Sequence, residues 1–126
     1  MCAALAFFMR FEQVNDEGWA RAYLVVDEEE CLAVLVDPVL EFMDRDEAML
    51  DQNGWSLACV MNTHTHADHV SAAIHLARKY DCPYLMHEST GVPCAGLLVG
   101  DLEQWSFGSL LFRFHHTPGH TSDAMC

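Results

Sequence analysis

The sequence predicts an α/β domain. Three observations point to it: β-branched apolar runs of strand length, helix-forming stretches between them, and polar loops that collect histidine and aspartate where the strands end. At 126 residues, 52% of them hydrophobic, the chain has material for one core, and no repeat or linker divides it, so residues 1–126 read as a single domain.

The first elements are "RAYLVVD" (21–27) and "CLAVLVD" (31–37), apolar strands joined by the acidic turn Glu28, Glu29 and Glu30, which together predict a hairpin. Asp37 and Pro38 stop the second strand. "RDEAMLDQNGW" (45–55) follows as a helix ending at Asn53 and Gly54, where a C-terminal stop belongs. "SLACVMN" (56–62) is the next strand. Beyond it Val70, Ala73, Ile74 and Ala77 recur at helical spacing, so a helix is expected from about His69. Asp68 would be its N-cap, with Arg78 and Lys79 in its last turn. "PYLMH" (83–87) is a short strand, and "QWSFGSLLFRFHH" (104–116) reads as two strands around a turn at Phe107 to Ser109.

A formal charge of −13 excludes nucleic acid and anionic membrane as partners, because both need a basic surface. The acidic residues of "VVDEEE" and "EFMDRDEAMLD" read mostly as solvated faces. Six cysteines without a C-x-x-C pair do not form a disulfide framework and suit a reducing compartment. The opening "MCAALAFFMRF" lacks a basic leader region and is too short to span a bilayer, so a cytoplasmic protein is expected.

The chemistry concentrates in "THTHADH" (63–69). With eight histidines and ten aspartates in the chain, an H-x-H-x-D-H pattern arises by chance in roughly 0.2 per cent of such chains. Alternate side chains of an extended segment share a face, so His64, His66 and Asp68 can converge, with His69 turning in beside them. Imidazole and carboxylate suit zinc or iron. A further ligand fits "HTPGHT" (116–121), where Pro118 and Gly119 make a sharp loop that presents His120. His115 and His116 read as strand-end rim residues, and His75 and His87 receive no role.

"THTHADH" followed by "TPGHT" resembles the metallo-β-lactamase superfamily. "LVDPVLE", "MNTHTHADHVSAA" and "VGDLEQWSFGSLLFRFHHTPGHT" look most like its glyoxalase II and persulfide dioxygenase branch, the Asp-Pro-Val leaning to the latter. The resemblance implies an αββα sandwich, of which this chain would be the N-terminal half to two-thirds. It implies a first metal site of His64, His66 and His120, with Asp68 and His69 facing a second, and makes Asp68 the candidate catalytic carboxylate. Family members also use a bridging aspartate and a final histidine beyond the T-P-G-H loop, which have no counterpart before Cys126.

Two reactions on glutathione-linked sulfur substrates are therefore expected, with one or two iron or zinc ions as cofactor. In the first, a single iron leaves positions open for a glutathione persulfide and dioxygen. In the second, two metals activate a water that attacks a glutathione thioester. A third expectation is an inactive metal-binding fragment or subunit that self-associates or pairs with a complementing chain.

Overall fold

A computed structural model describes residues 8–15 and 20–126. Most of the apolar opening segment, residues 1–7, lies outside them.

The elements in chain order are β1 (Met9–Gln13), β2 (Tyr23–Asp27), β3 (Leu32–Val36), a 3-10 turn (Leu40–Phe42), α1 (Met43–Asn53), β4 (Ser56–Met61), α2 (Ala73–Tyr80), β5 (Tyr84–His87), β6 (Leu97–Val99), β7 (Gln104–Phe107) and β8 (Leu110–Arg113). Strands β1 to β6 form one sheet in sequence order, antiparallel through β3 and parallel from β3 to β6. The β7–β8 hairpin makes a second, two-stranded sheet.

Alternation along the strands divides the core in two. Leu24, Val26, Ala33 and Leu35 pack with Leu50 of α1 and with Ala73, Leu76 and Ala77 of α2. Val25, Val34, Leu85 and Val99 face the other way, against Leu110, Phe114 and Met125. Helices, six-stranded sheet and hairpin therefore stack as α, β and β layers. A bulge keeps the two faces in step: Ala33 pairs with Leu57 but Val34 pairs with Cys59, so β4 carries one extra residue, Ala58. Leu57 and Val60 consequently join the helix side while Cys59 and Met61 join the hairpin side, and β4 ends aimed at the loop that starts with Asn62.

The predicted hairpin, the Gly54 stop of the first helix and the turn at Phe107 to Ser109 all form. Gly54 adopts φ +67° as a left-handed cap, its N–H reaching the Asp51 and Leu50 carbonyls. Strands β1 and β6 are additions that the sequence reading lacks.

Two expectations are corrected. The second helix begins at Ala73 and not near His69, and Asp68 is not its N-cap: that position is Ala72, with no capping side chain. The cause is pairing further back in the chain. Leu40 donates to the Val70 carbonyl, Ala72 donates to the Pro38 carbonyl, and Val39 bridges Ser71, which ties residues 70–72 to the 38–40 segment before helix can start. Val70, assigned to the helix face, is instead exposed. The acidic segments are also less uniformly solvated than expected, since Asp27 and Asp46 are buried. Asp27 accepts from Ser109 N–H and hydroxyl and from the Glu29 and Glu30 N–H groups, tying the β7–β8 turn to the β2–β3 turn. Asp46 is held by the Arg45 guanidinium, which also reaches Asn15, and burial raises its pKa. Cys31, Cys59, Cys82, Cys94 and Cys126 are free thiols.

Candidate metal centre

The site lies where β3 and β4, parallel neighbours in mid-sheet, both deliver their C-terminal ends. From β4 the chain runs as an irregular loop through residues 62–72 that carries His64, His66 and His69, and His120 from the loop after β8 extends their row to four imidazoles. Ring centroids are 5.0 Å apart between His120 and His64, 4.1 Å between His64 and His66, and 4.3 Å between His66 and His69. The ligand atoms of His66, Asp68 and His69 all lie within 4.8 Å of one another. All five residues singled out in the sequence thus belong to one contiguous cluster, with His64, His66 and His69 half-buried and Asp68 and His120 exposed.

Asp37, read from the sequence only as a strand stop, organises this cluster. It is buried, with φ +53°, a left-handed conformation that aspartate tolerates better than most residues. Its Oδ1 accepts from Thr63 N–H at 2.7 Å and faces His66 Nε2 at 2.9 Å, while its Oδ2 accepts from the Thr63 hydroxyl at 2.7 Å. The donor count then settles two tautomers. An ionised carboxylate only accepts, so His66 carries its proton on Nε2 and has its lone pair on Nδ1. Thr63 has spent its single hydroxyl proton on Asp37, so at 2.9 Å it must accept from His64 Nδ1, leaving the lone pair on His64 Nε2. One carboxylate therefore readies two imidazoles for a metal.

The protonation states agree with this. Burial, with the adjacent His66 ring, pushes His64 below the ordinary histidine value, which favours the neutral, ligating form. Asp68 sits 2.9 Å from His69 Nδ1. Desolvation acts to raise its pKa, but a backbone amide and the His69 contact outweigh it and hold the carboxyl below the usual range. Imidazole nitrogens together with the Asp68 carboxylate make a donor set that fits zinc or iron.

The remaining histidines stay outside the cluster. His75 is exposed on α2. His115 exchanges backbone hydrogen bonds with Cys126. His116 stacks on buried His87 with centroids 3.9 Å apart, and its Nε2 meets the Ser122 carbonyl. Asp123 is a second residue whose part the sequence did not reveal. It is 4% exposed, and although burial acts to raise its pKa, hydrogen bonds from Thr65, Thr121 and Thr90 hold it at about 2. A signal for both aspartates existed in the motif itself: Thr63 and Thr65 interleave with His64 and His66 and bring hydroxyl donors that call for acceptors.

A family model described as the metallo-beta-lactamase superfamily matches residues 20–126. The chain is 36% identical over 88 residues to a hydroxyacylglutathione hydrolase of Nitrobacter hamburgensis, covering 68% of this chain and 32% of that protein. It is 35% identical over 100 residues to the mitochondrial persulfide dioxygenase ETHE1 of Mus musculus, covering 79% and 39%. The crystal structure of ETHE1 from Myxococcus xanthus superposes with a TM-score of 0.87 at 37% identity, over 93% of this chain and 52% of that one. A metallo-beta-lactamase from Staphylococcus aureus, at 22% identity and a TM-score of 0.82, shares the fold. The chain thus spans about half of the Myxococcus xanthus structure and 32% and 39% of these two curated relatives.

Proposed function

Because the chain belongs to the metallo-beta-lactamase superfamily and carries the N-terminal portion of that fold, we propose that it is the metal-binding part of an enzyme acting on glutathione-linked sulfur compounds, with oxidation of a glutathione persulfide by dioxygen as its reaction. The observation that carries the reading is the row of His120, His64, His66 and His69 with two tautomers preset by Asp37. The preference for the dioxygenase over a hydrolase is supported by the 37% identity to ETHE1 across 93% of this chain.

In this reading His64, His66 and His120 line the metal position and Asp68 and His69 face the substrate, whereas in a hydrolase Asp68 and His69 would face a second metal. When bound, iron supplies dioxygen and sulfur binding, whereas zinc supplies Lewis acidity towards water. The chain's own residues do the rest. Asp37 and Thr63 keep the metal-facing nitrogens deprotonated. Asp68, ionised and exposed, opens onto a cleft lined by Val39, Leu40, Glu41, His69 and Val70, where it orients the substrate or accepts a proton.

The alternative is a zinc hydrolase of glutathione thioesters, supported by the relatives named hydroxyacylglutathione hydrolase and by the grouping of Asp68 with His66 and His69. Oxygen uptake on the iron-loaded protein with glutathione persulfide, run beside thioester cleavage on the zinc-loaded protein, separates the two. Oxygen uptake supports the dioxygenase. Hydrolysis that needs Asp68 and His69, without oxygen uptake, rejects it. Neither activity would leave the metal-binding fragment or subunit.

The reading also takes residues 1–126 as one domain, and expects self-association or a complementing chain through exposed apolar side chains such as Leu98 at the β6 edge and Leu111 of β8. Sedimentation over a range of concentrations tests this, and a monomer throughout would oppose it. A cytoplasmic location is proposed from the charge and free thiols. Among the described residues no helix is long and apolar enough to cross a membrane. The mouse relative's name includes the word mitochondrial, so subcellular fractionation is the test.

A further inference from the structure

His120 lies 54 residues beyond His66 on a separate loop, and neither loop has regular structure across its ligand residues. A metal site made of both needs something that fixes the gap between them. The hydrogen bonds converge on one buried group. Asp123 accepts the Thr65 N–H at 3.2 and 3.1 Å on its two oxygens, the Thr65 hydroxyl at 2.5 Å on Oδ2, and the Thr121 hydroxyl at 2.7 Å on Oδ1. Thr65 sits between His64 and His66, and Thr121 adjoins His120. A backbone bond from Met125 N–H to the Thr63 carbonyl, 2.9 Å, runs alongside. Thr65 lies between the two histidines in the chain, so Asp123 grips the H-x-H segment at its midpoint.

We infer that Asp123 is a positioning residue that clamps the His120 loop to the H-x-H segment and so sets the spacing of the metal ligands. This rests on reading His64, His66 and His120 as one centre. Asp123 is not itself a ligand in this account, because both its oxygens are turned to Thr65 and Thr121. Backbone placement of this kind acts on coordination geometry as well as on stability, in the way that outer partners of metal ligands commonly change affinity by about 10- to 100-fold.

The test uses the full chain and two readouts: zinc affinity by competition titration, and the visible absorption spectrum of the cobalt(II)-loaded protein. Asp123→Asn keeps the shape but offers only one acceptor oxygen, and it should weaken zinc binding about tenfold. It should also move the cobalt spectrum to that of His120→Ala. Thr65→Val, a change at an exposed residue that spares the core, should do the same if Asp123→Asn does not fold, and Thr65→Ser should restore the parent spectrum. Zinc affinity within twofold of the parent and an unchanged cobalt spectrum in Thr65→Val and Asp123→Asn would overturn the clamp while leaving the metal centre standing. If the parent binds no zinc, or if His120→Ala leaves the parent's spectrum unchanged, the three-histidine centre falls and the clamp falls with it.

Discussion

Replacing Asp37 by asparagine should disable metal binding by moving one proton. In the parent, Asp37 Oδ1 meets two N–H donors, Thr63 N and His66 Nε2, and Oδ2 meets the Thr63 hydroxyl. An asparagine oxygen must take the Oδ1 place, because an NH2 there would face two donors. Its NH2 then lies at the Oδ2 place and donates to Thr63. Thr63 is released to give its hydroxyl proton to His64 Nδ1, 2.9 Å away, and the His64 proton shifts to Nε2, the nitrogen needed by the metal. Two bonds lose their charge assistance, which costs about 2 kcal/mol of stability, so the variant remains a folded protein. Zinc affinity should fall about 10- to 100-fold, which corresponds to about 1.4 to 2.7 kcal/mol. Asp37→Ala removes all three bonds and places alanine at φ +53°, and should cost about 4 kcal/mol or more. Urea denaturation in chelator measures the stabilities, and competition with a chromophoric chelator measures zinc. An Asp37→Asn protein that binds zinc within twofold of the parent would refute the tautomer argument.

Other perturbations probe the scaffold. Gly108 has φ +59°, and an added Cβ would lie 2.8 Å from Asp27 Oδ2 and 2.9 Å from Leu32 Cδ1, so Gly108→Ala should lose about 3 kcal/mol in the same urea assay. Leu76, wholly buried beneath α2, should cost about 3 kcal/mol as alanine and leave the zinc affinity of the folded protein unchanged. Asp123 titrates at about 2 in the fold and near 3.8 when unfolded, so its contribution of about 2 kcal/mol is present above pH 4 and lost as pH falls towards 2. Acid titration of Asp123→Asn should lack that part of the loss.

The elements readable in advance were those whose signals are local. The β2–β3 hairpin needs only two apolar runs and an acidic turn, α1 needs its Gly54 stop, and the β7–β8 turn needs Gly108. The five candidate ligands were legible because H-x-H-x-D-H crowds four ligand side chains into six residues and T-P-G-H presents a fifth, although residues 63–69 fold as an irregular loop and not as the extended segment expected. What escaped depends on partners far along the chain. Helix α2 starts late because Pro38, Val39 and Leu40 pair with residues 70–72, thirty or more positions on, and periodicity alone does not register that competition. Asp37 before Pro38 signals a turn. Its grip on Thr63 and His66 appears only once β3 and β4 lie side by side. Asp123 lies three residues after His120, yet its partner Thr65 is 58 residues away. Strand β6 is three residues long and is defined by its pairing with β5 more than by its own composition.

Whether His64, His66 and His120 are one metal centre in this chain is decided by metal analysis of the purified protein, after dialysis against zinc or ferrous iron and removal of the excess. About one retained ion per chain is expected, lost in His64→Ala and in His120→Ala but kept in His75→Ala, whose imidazole lies exposed on α2. A parent protein that retains no ion, or that binds zinc equally well with either ligand histidine removed, would contradict it.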